Sequence, residues 1–422
     1  MFITIISLLA FYFAFNLGAN DVANAMGTSV GSKAVTLKQA LMVAGVLEFT
    51  GAVLFGRKVT ETLATKIANP SLFAQTPQIL VIGMVTVLLS CGIWLQIATW
   101  WGLPVSSSHA VVGAIAGFSW VAGGINAIDW TSIAIITLAW IVTPLASGAI
   151  AALFYTQIKW WILEQPQQLK QLNEWIPWLS TILLAIFGFI VLPAITSLVA
   201  SFFEEKFGIK IPAHDLLLLI AGMGAVGLSF YGWRQLDDKA ALATTPLSAN
   251  NIVEQLFGKF QFLSACFVSF AHGSNDVGNC VAPLATIAYI HTTGQVPTND
   301  ITIPVWILIL GGAGIVTGLA VWGKKVITTI GENIIPLQPS SGFCAELATA
   351  TTILLASRLG LPVSTSHALV GSVVGIGLAQ KPRSVQVKTL QNIASAWIIT
   401  VPFSAGVSAF IFSIFESANA KF

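Results

Sequence analysis

Charge is what this chain has least of. Only 9% of its 422 residues are Asp, Glu, Lys or Arg, where a soluble domain carries roughly 25%. A water-soluble fold of this length could not cover its surface with so few charges. The 19 basic and 17 acidic residues leave a net charge of +2, and no dense basic run occurs, which removes nucleic acid as a partner. Cysteine is scarce as well. Cys91, Cys266, Cys280 and Cys344 show neither metal-ligand nor disulfide-framework spacing and read as small buried residues. No Walker motif is present, nor any Ser-His-Asp or metal-hydrolase spacing, so neither ATP-driven work nor an enzyme is expected, and no cofactor. No basic residue precedes Lys33 and no polar cleavage region follows the first apolar run, which therefore reads as helix one, not a signal peptide.

Apolar sequence fills the space that charge leaves. The chain is 55% hydrophobic, with a mean hydropathy of +0.84. Runs of membrane-spanning length, about 17–25 residues, recur near 1–17, 38–56, 78–100, 130–155, 178–200, 213–232, 257–272, 301–322, 341–358 and 390–414. Two more, 105–121 and 363–379, start directly behind a proline and a serine cluster. Together they predict an all-α polytopic protein of the lipid bilayer, with about ten to twelve transmembrane helices.

The chain also repeats itself. GANDVAN at 18–24 returns as GSNDVGN at 273–279, 255 positions later, and LPVSSSHAVVG at 103–113 returns as LPVSTSHALVG at 361–371, 258 positions later. Polar breaks duplicated inside hydrophobic helices point to a midplane site shared by two repeats. The expected organisation is an N-terminal repeat over 1–157, a connector of two helices and polar cytoplasmic loops over 158–256, and a C-terminal repeat over 257–422.

Loop charge tests how the repeats are oriented. Lys33 and Lys38 follow the first N-D-V-x-N motif, whereas 291–300 has no Lys or Arg; 119–131 has none, whereas Lys381, Arg383 and Lys388 follow the second serine cluster. Equivalent loops carry opposite bias, as inverted-topology repeats would. Both termini then lie outside the cytoplasm, with Lys159, Lys170, Arg234, Lys239, Lys324 and Lys325 inside and Arg57, Lys58 and Lys66 as the exception. The charges of the connector, including Arg234, Asp237, Asp238 and Lys239, read as solvated loop.

Two constellations carry chemistry. Asn20, Asp21 and Asn24, repeated as Asn275, Asp276 and Asn279, share one helix face at spacings of three and four. Gly18 and Gly273 are expected to break the helix there and free backbone carbonyls. Carboxylate, amide and carbonyl oxygens together suit a hard cation such as Na⁺. The plainer alternative is that each Asp caps an interrupted helix; duplication of the whole cluster, and the cost of at least ~2.5 kcal/mol for a charge at membrane depth, weigh against it. The second constellation is Ser106, Ser107 and Ser108 behind Pro104, with Ser364, Thr365 and Ser366 behind Pro362. A helix starting after Pro with a hydroxyl N-cap presents free N–H groups and hydroxyl donors, a cradle for a tetrahedral oxyanion. Local capping alone is the plainer alternative here too.

Glu48 and Glu346 are the remaining acids inside apolar runs, and could balance cations, relay protons or pair with Arg358 or a hydroxyl. They are not internal equivalents: aligning GRKV (56–59) with GKKV (323–326) sets Ile315 opposite Glu48. His109 and His367 are open between packing at a helix start and proton relay. His272 stands opposite Leu17 and has no assigned role. GxxxG-like spacings read as close helix packing.

The paired N-D-V-x-N and LPVS(S/T)SH signatures resemble those of the inorganic phosphate transporter (PiT) family, over essentially the whole chain outside the connector. The resemblance implies secondary phosphate symport driven by Na⁺ or H⁺, inverted repeats with two hairpin-like broken segments, and a homodimer. Carried over by residue, it implies cation binding at Asp21, Asn24, Asp276 and Asn279, and phosphate binding at Ser106, Ser107, Ser108, Ser364, Thr365 and Ser366. Glu48 and Glu346 sit where that family has acids associated with transport. The expectation is a plasma-membrane symporter of inorganic phosphate with Na⁺ as coupling ion. H⁺-coupled phosphate or metal–phosphate symport and sulfate permeation are the alternatives; a passive channel would not need two acid-bearing clusters beside an anion site.

Overall fold

Backbone groups in a bilayer must find partners within their own segment, which leaves the helix as the local solution for apolar runs such as these. The structure, a computed structural model, describes residues 1–210, 212–240, 245–297, 301–324, 327, 335–381 and 385–419. Its helices are α1 (Phe2–Gly31), α2 (Leu37–Phe55), α3 (Arg57–Thr65), α4 (Pro77–Trp101), α5 (Ser107–Gly123), α6 (Trp130–Ile158), α7 (Gln168–Phe207), α8 (Ala213–Ala240), α9 (Pro246–Thr293), α10 (Val305–Trp322), α11 (Pro339–Arg358), α12 (Thr365–Gln380) and α13 (Val387–Asn419). Among the described residues there is no strand, only an isolated bridge between Ala68 and Ile128. Lys325 and Arg383, which enter the loop-charge comparison, lie outside the described residues.

Eight of these segments are long and apolar enough to cross a membrane: α1, α2, α4, α6, α7, α8, α10 and α13. The others explain why the sequence suggests more. α5 and α12 are only 17 and 16 residues long, and polar residues interrupt the apolar stretches of α9 and α11. The two short helices form hairpins with the helices before them, α4–α5 and α11–α12. Each hairpin turns through a glycine in the left-handed region, Gly102 at φ 68° and Gly360 at φ 69°. Pro104 and Pro362 then delay helix re-entry until Ser106 and Ser364, whose hydroxyls accept from the backbone N–H of His109 and His367, both at 3.3 Å.

The expected helix breaks at Gly18 and Gly273 do not occur. α1 and α9 run unbroken through both motifs. The glycines serve close approach instead. A Cβ on Gly18 would sit 2.0 Å from the Ile315 carbonyl oxygen of α10, and one on Gly273 would sit 2.0 Å from the Glu48 carbonyl oxygen of α2. Ile315 and Glu48, which the sequence alignment sets opposite each other, thus occupy matching contacts.

The short helices are exchanged between the halves. α5 lies along α13, with Gly113 and Gly117 against the carbonyls of Val401 and Ala405; α12 lies along α6, with Gly371 and Gly375 against those of Pro144 and Gly148. These are small-xxx-small contacts, which let helix backbones approach closely where lipid removes any hydrophobic drive to associate. The connector helices stand apart. α7 packs on α8, α9 and α11, and Arg358 of α11 donates from Nε to the Ile190 carbonyl at 2.8 Å. α8 turns Leu218, Leu219, Met223, Val226 and Phe230 outward, the composition of a lipid-facing surface.

Candidate functional site

The unbroken α1 and α9 carry the two N-D-V-x-N motifs to the middle of the molecule, where the two hairpin turns meet them. Asn20, Asp21, Asn24, Asn275, Asp276 and Asn279 are all buried, as are Ser106, Ser107, Ser108, Ser364, Thr365 and Ser366. The helix period then divides the labour. Asn20 and Asn275 face the hairpin of their own half. Asn20 Nδ2 donates to Thr99 Oγ1 (3.1 Å) and the Leu103 carbonyl (3.0 Å), and its Oδ1 accepts from Val105 N–H at 3.3 Å. Asn275 Nδ2 donates to Ser357 Oγ (3.0 Å) and the Leu361 carbonyl (3.1 Å). Both amide nitrogens therefore hold turns, and Asn20 Oδ1 does so as well, whereas Asn275 Oδ1 is buried without a donor.

Asn24 and Asn279, one turn further on, reach the opposite half. Asn24 Nδ2 donates to Asp21 Oδ1 and to Thr365 Oγ1, each at 3.2 Å, and Asn279 Nδ2 donates to Ser107 Oγ at 3.1 Å. Thr365 Oγ1 donates in turn to Asp276 Oδ2 at 2.9 Å. The serine clusters divide similarly: Ser106 and Ser364 cap, and Ser108 and Ser366 pair with those caps at 3.1 and 2.9 Å. Ser107 and Thr365 are the hydroxyls that bond to the motifs.

Five acceptor oxygens in this cluster are buried without a donor: Asp21 Oδ2, Asn24 Oδ1, Asn275 Oδ1, Asp276 Oδ1 and Asn279 Oδ1. Buried polar atoms are ordinarily paired, because an unpaired one forfeits roughly 1–3 kcal/mol of solvation. Among them the duplicated set of two carboxylate and two amide oxygens is the donor set a hard cation takes.

His272 completes the centre. Its Nδ1 lies 3.1 Å from Glu48 Oε1 and its Nε2 lies 3.0 Å from Asp276 Oδ2, with all three side chains buried. Ligand atoms of Asp21, His272 and Asp276 lie within 4.8 Å of one another. A signal for this existed in sequence, since His272 and Asp276 are four apart on one helix face. Comparison between halves hides it, because Leu17 stands at the matching place.

Glu346 is built into a separate cage. Its Oε1 accepts from Thr28 (2.7 Å), Ser29 (2.6 Å) and Gln261 (3.1 Å), and its Oε2 accepts from Ser264 at 2.8 Å. Of the partners open to it from sequence, it takes hydroxyls, while Arg358 goes to the α7 carbonyl. Thr28 follows Asn24 by one turn of α1, so the cage adjoins the centre along that helix. His109 and His367 are brought together. Their rings meet edge to face at 4.6 Å, between Trp140 (3.8 Å from His109) and Trp397 (3.7 Å from His367). Nδ1 of His109 lies 3.4 Å from the Trp397 carbonyl, and Nδ1 of His367 lies 3.2 Å from that of Trp140.

Such a site, with cation-type oxygens and hydroxyl donors interleaved from opposite ends of the chain, has clear relatives. The chain is 38% identical over 429 residues to the chloroplastic inorganic phosphate transporter 2-1 of Arabidopsis thaliana, covering 97% of this chain and 71% of that one. Among solved structures it is similar to one named as the sodium-dependent phosphate transporter, with 37% identity, a TM-score of 0.86, and coverage of 99% of this chain and 100% of the other. The profile of the phosphate transporter family matches residues 17–408, which takes in both hairpins and both N-D-V-x-N helices. The chain belongs to the phosphate transporter family, a family of membrane transporters and not of enzymes.

Proposed function

We propose that the protein is a secondary active symporter of inorganic phosphate driven by Na⁺. One observation carries this reading: buried, donor-less oxygens of Asp21, Asn24, Asp276 and Asn279 lie among the Ser107 and Thr365 hydroxyls. Cations at those oxygens would offset the charge of a phosphate dianion and favour its entry. The starts of α5 and α12 add helix-dipole attraction and hydroxyl donors for its oxygens. The names of the Arabidopsis relative and the solved neighbour, phosphate transporter in both and sodium-dependent in the second, support the substrate and the ion. The same reading takes the halves as inverted repeats that rock about the centre, supported by the matched Gly18–Ile315 and Gly273–Glu48 contacts. It includes a homodimer, a plasma-membrane location and termini outside the cytoplasm.

Proton coupling has an observation of its own in the Glu48–His272–Asp276 chain. The test is radiolabelled phosphate uptake into proteoliposomes under an inward Na⁺ gradient, with an inward H⁺ gradient in parallel. Accumulation with Na⁺ alone is expected. Accumulation with H⁺ alone would move the coupling to His272 and its acids. Block by sulfate at equal concentration would move the substrate to sulfate. Asp21→Asn and Asp276→Asn are each expected to abolish driven uptake while the protein still reaches the membrane; normal uptake by both would remove the cation assignment.

A further inference from the structure

Away from the centre, three lysines from three parts of the chain converge on one cleft. Lys33 follows the end of α1, Lys239 closes α8, and Lys259 lies in the early turns of α9. The cleft has a volume of about 420 Å³, and Ser32, Asn251 and Glu254 line it with them. A Cβ built on Gly258 at its wall lies 3.9 Å from both Ala34 and Pro339, so the α1–α2 loop, α9 and the start of α11 all reach it. In sequence these charges are spread over more than two hundred positions: Lys33 lies in a loop, Lys239 among connector charges that read as solvated, and Lys259 inside the apolar run 257–272.

Three features set the cleft apart from an ordinary basic surface. First, its lysines are uncommitted: among the described residues none is within ion-pair distance of a carboxylate, and Lys239 Nζ donates only to the Gln255 amide oxygen at 2.8 Å. Second, the one acid is already used. Glu254 accepts from Ser340 N–H (2.9 Å) and Ser340 Oγ (2.7 Å), at the first turn of α11. Third, Lys33 has φ 63°, the only positive φ outside glycine among the described residues. L side chains other than Asn and Asp rarely adopt that region, so a lysine there is an outlier. The Ser32 hydroxyl that lines the cleft donates to Gln261 Oε1 at 2.7 Å, and Gln261 Nε2 donates to Glu346 at 3.1 Å, so one hydrogen-bond chain joins the cleft to the acid cage.

We propose that this cleft binds a phosphate group carrying about two negative charges, through Lys33, Lys239 and Lys259, as a second anion site distinct from the central one. Ammonium groups hold phosphate as point charges, and three of them against one spent carboxylate match a dianion. Free phosphate at this face and the headgroup of phosphatidic acid offer the same chemistry. Through Ser32 and Gln261 an occupant would bear on Glu346, which gives the site a route to the transport machinery.

The test uses the full-length protein in nanodiscs, in an Asp21→Asn background so that the central site is disabled. In phosphatidylcholine nanodiscs, radiolabelled phosphate binding is compared with and without Lys33→Gln/Lys239→Gln/Lys259→Gln. In nanodiscs containing phosphatidic acid, lipid retained by each variant is counted by native mass spectrometry. All three lysines are away from the buried core, and melting curves of both variants establish that they fold alike. A loss of phosphate affinity of about tenfold or more on removing the lysines, steepened at low salt, would identify soluble phosphate as the occupant. Selective loss of phosphatidic acid would identify the lipid headgroup. Equal binding of both probes by the two variants would overturn the proposal. Because binding is read without uptake, a failure of the symporter reading would leave this result independent.

Discussion

Glu346 shows how much one buried side chain can hold in this protein. Four donors from α1 and α9 converge on its carboxylate, and none has another acceptor of comparable geometry in the cage except Ser264, which also reaches the Gln261 carbonyl at 2.9 Å. Glu346→Ala would strand them, at about 1–3 kcal/mol for each donor left unpaired. Thermal unfolding in detergent should show a fall in midpoint of several degrees at least, and Glu346→Gln, which keeps one acceptor oxygen, a smaller one. Equal midpoints for the three proteins would mean the cage does not bear load. His272 makes a different prediction. It is the imidazole of the Asp21–His272–Asp276 cluster, so His272→Gln should lower driven phosphate uptake in proteoliposomes by roughly tenfold or more. Uptake unchanged in the variant would remove His272 from the transport machinery. Asp21 and Asp276 are legible in sequence because duplication marks them. His272 is marked only by its spacing of four from Asp276, since its other partner Glu48 lies on a helix more than two hundred residues away and no copy of the pair exists in the other half.

At the scale of elements, glycines decide which helices touch. Gly18 and Gly273 read in sequence as helix breakers, because glycine both interrupts helices and permits contact. Only the facing carbonyls of Ile315 and Glu48, 2.0 Å from a would-be Cβ, show which use applies. Gly18→Ala and Gly273→Ala should therefore each force α1 from α10 or α9 from α2 and sharply reduce monodisperse protein recovered from membranes, whereas Gly406→Ala, with nothing within 4 Å, should leave yield unchanged. Size-exclusion profiles of the three variants would decide; normal recovery of both Gly18→Ala and Gly273→Ala would refute the close-packing account. The hairpins were more readable. Gly and Pro before a hydroxyl cluster specify a turn and a cap from local sterics alone, and Gly102–Ser106 and Gly360–Ser364 do that.

Across the whole molecule, each half supplies what the other lacks. Asn24 of the first reaches Thr365 of the second, Asn279 of the second reaches Ser107 of the first, and α5 and α12 each dock on the other half's final helix. Neither half could assemble the centre alone. If the halves are inverted as loop charge indicates, cysteines placed at either terminus should react with a membrane-impermeant thiol reagent added outside intact cells. Protection of both would reverse the orientation and put Lys33, Lys239 and Lys259 on the outer face. Helical character, membrane residence, the duplicated motifs and the two hairpin turns were all written in the chain, because each depends on hydropathy or on sterics within a few residues. The pairing of Asn24 with Thr365, the His272 bridge, the Glu346 cage and the lysine cleft were decided only by folding. Their widest links join residues 341, 224, 318 and 226 positions apart through packing, and local sequence has no means to record which distant surface will arrive.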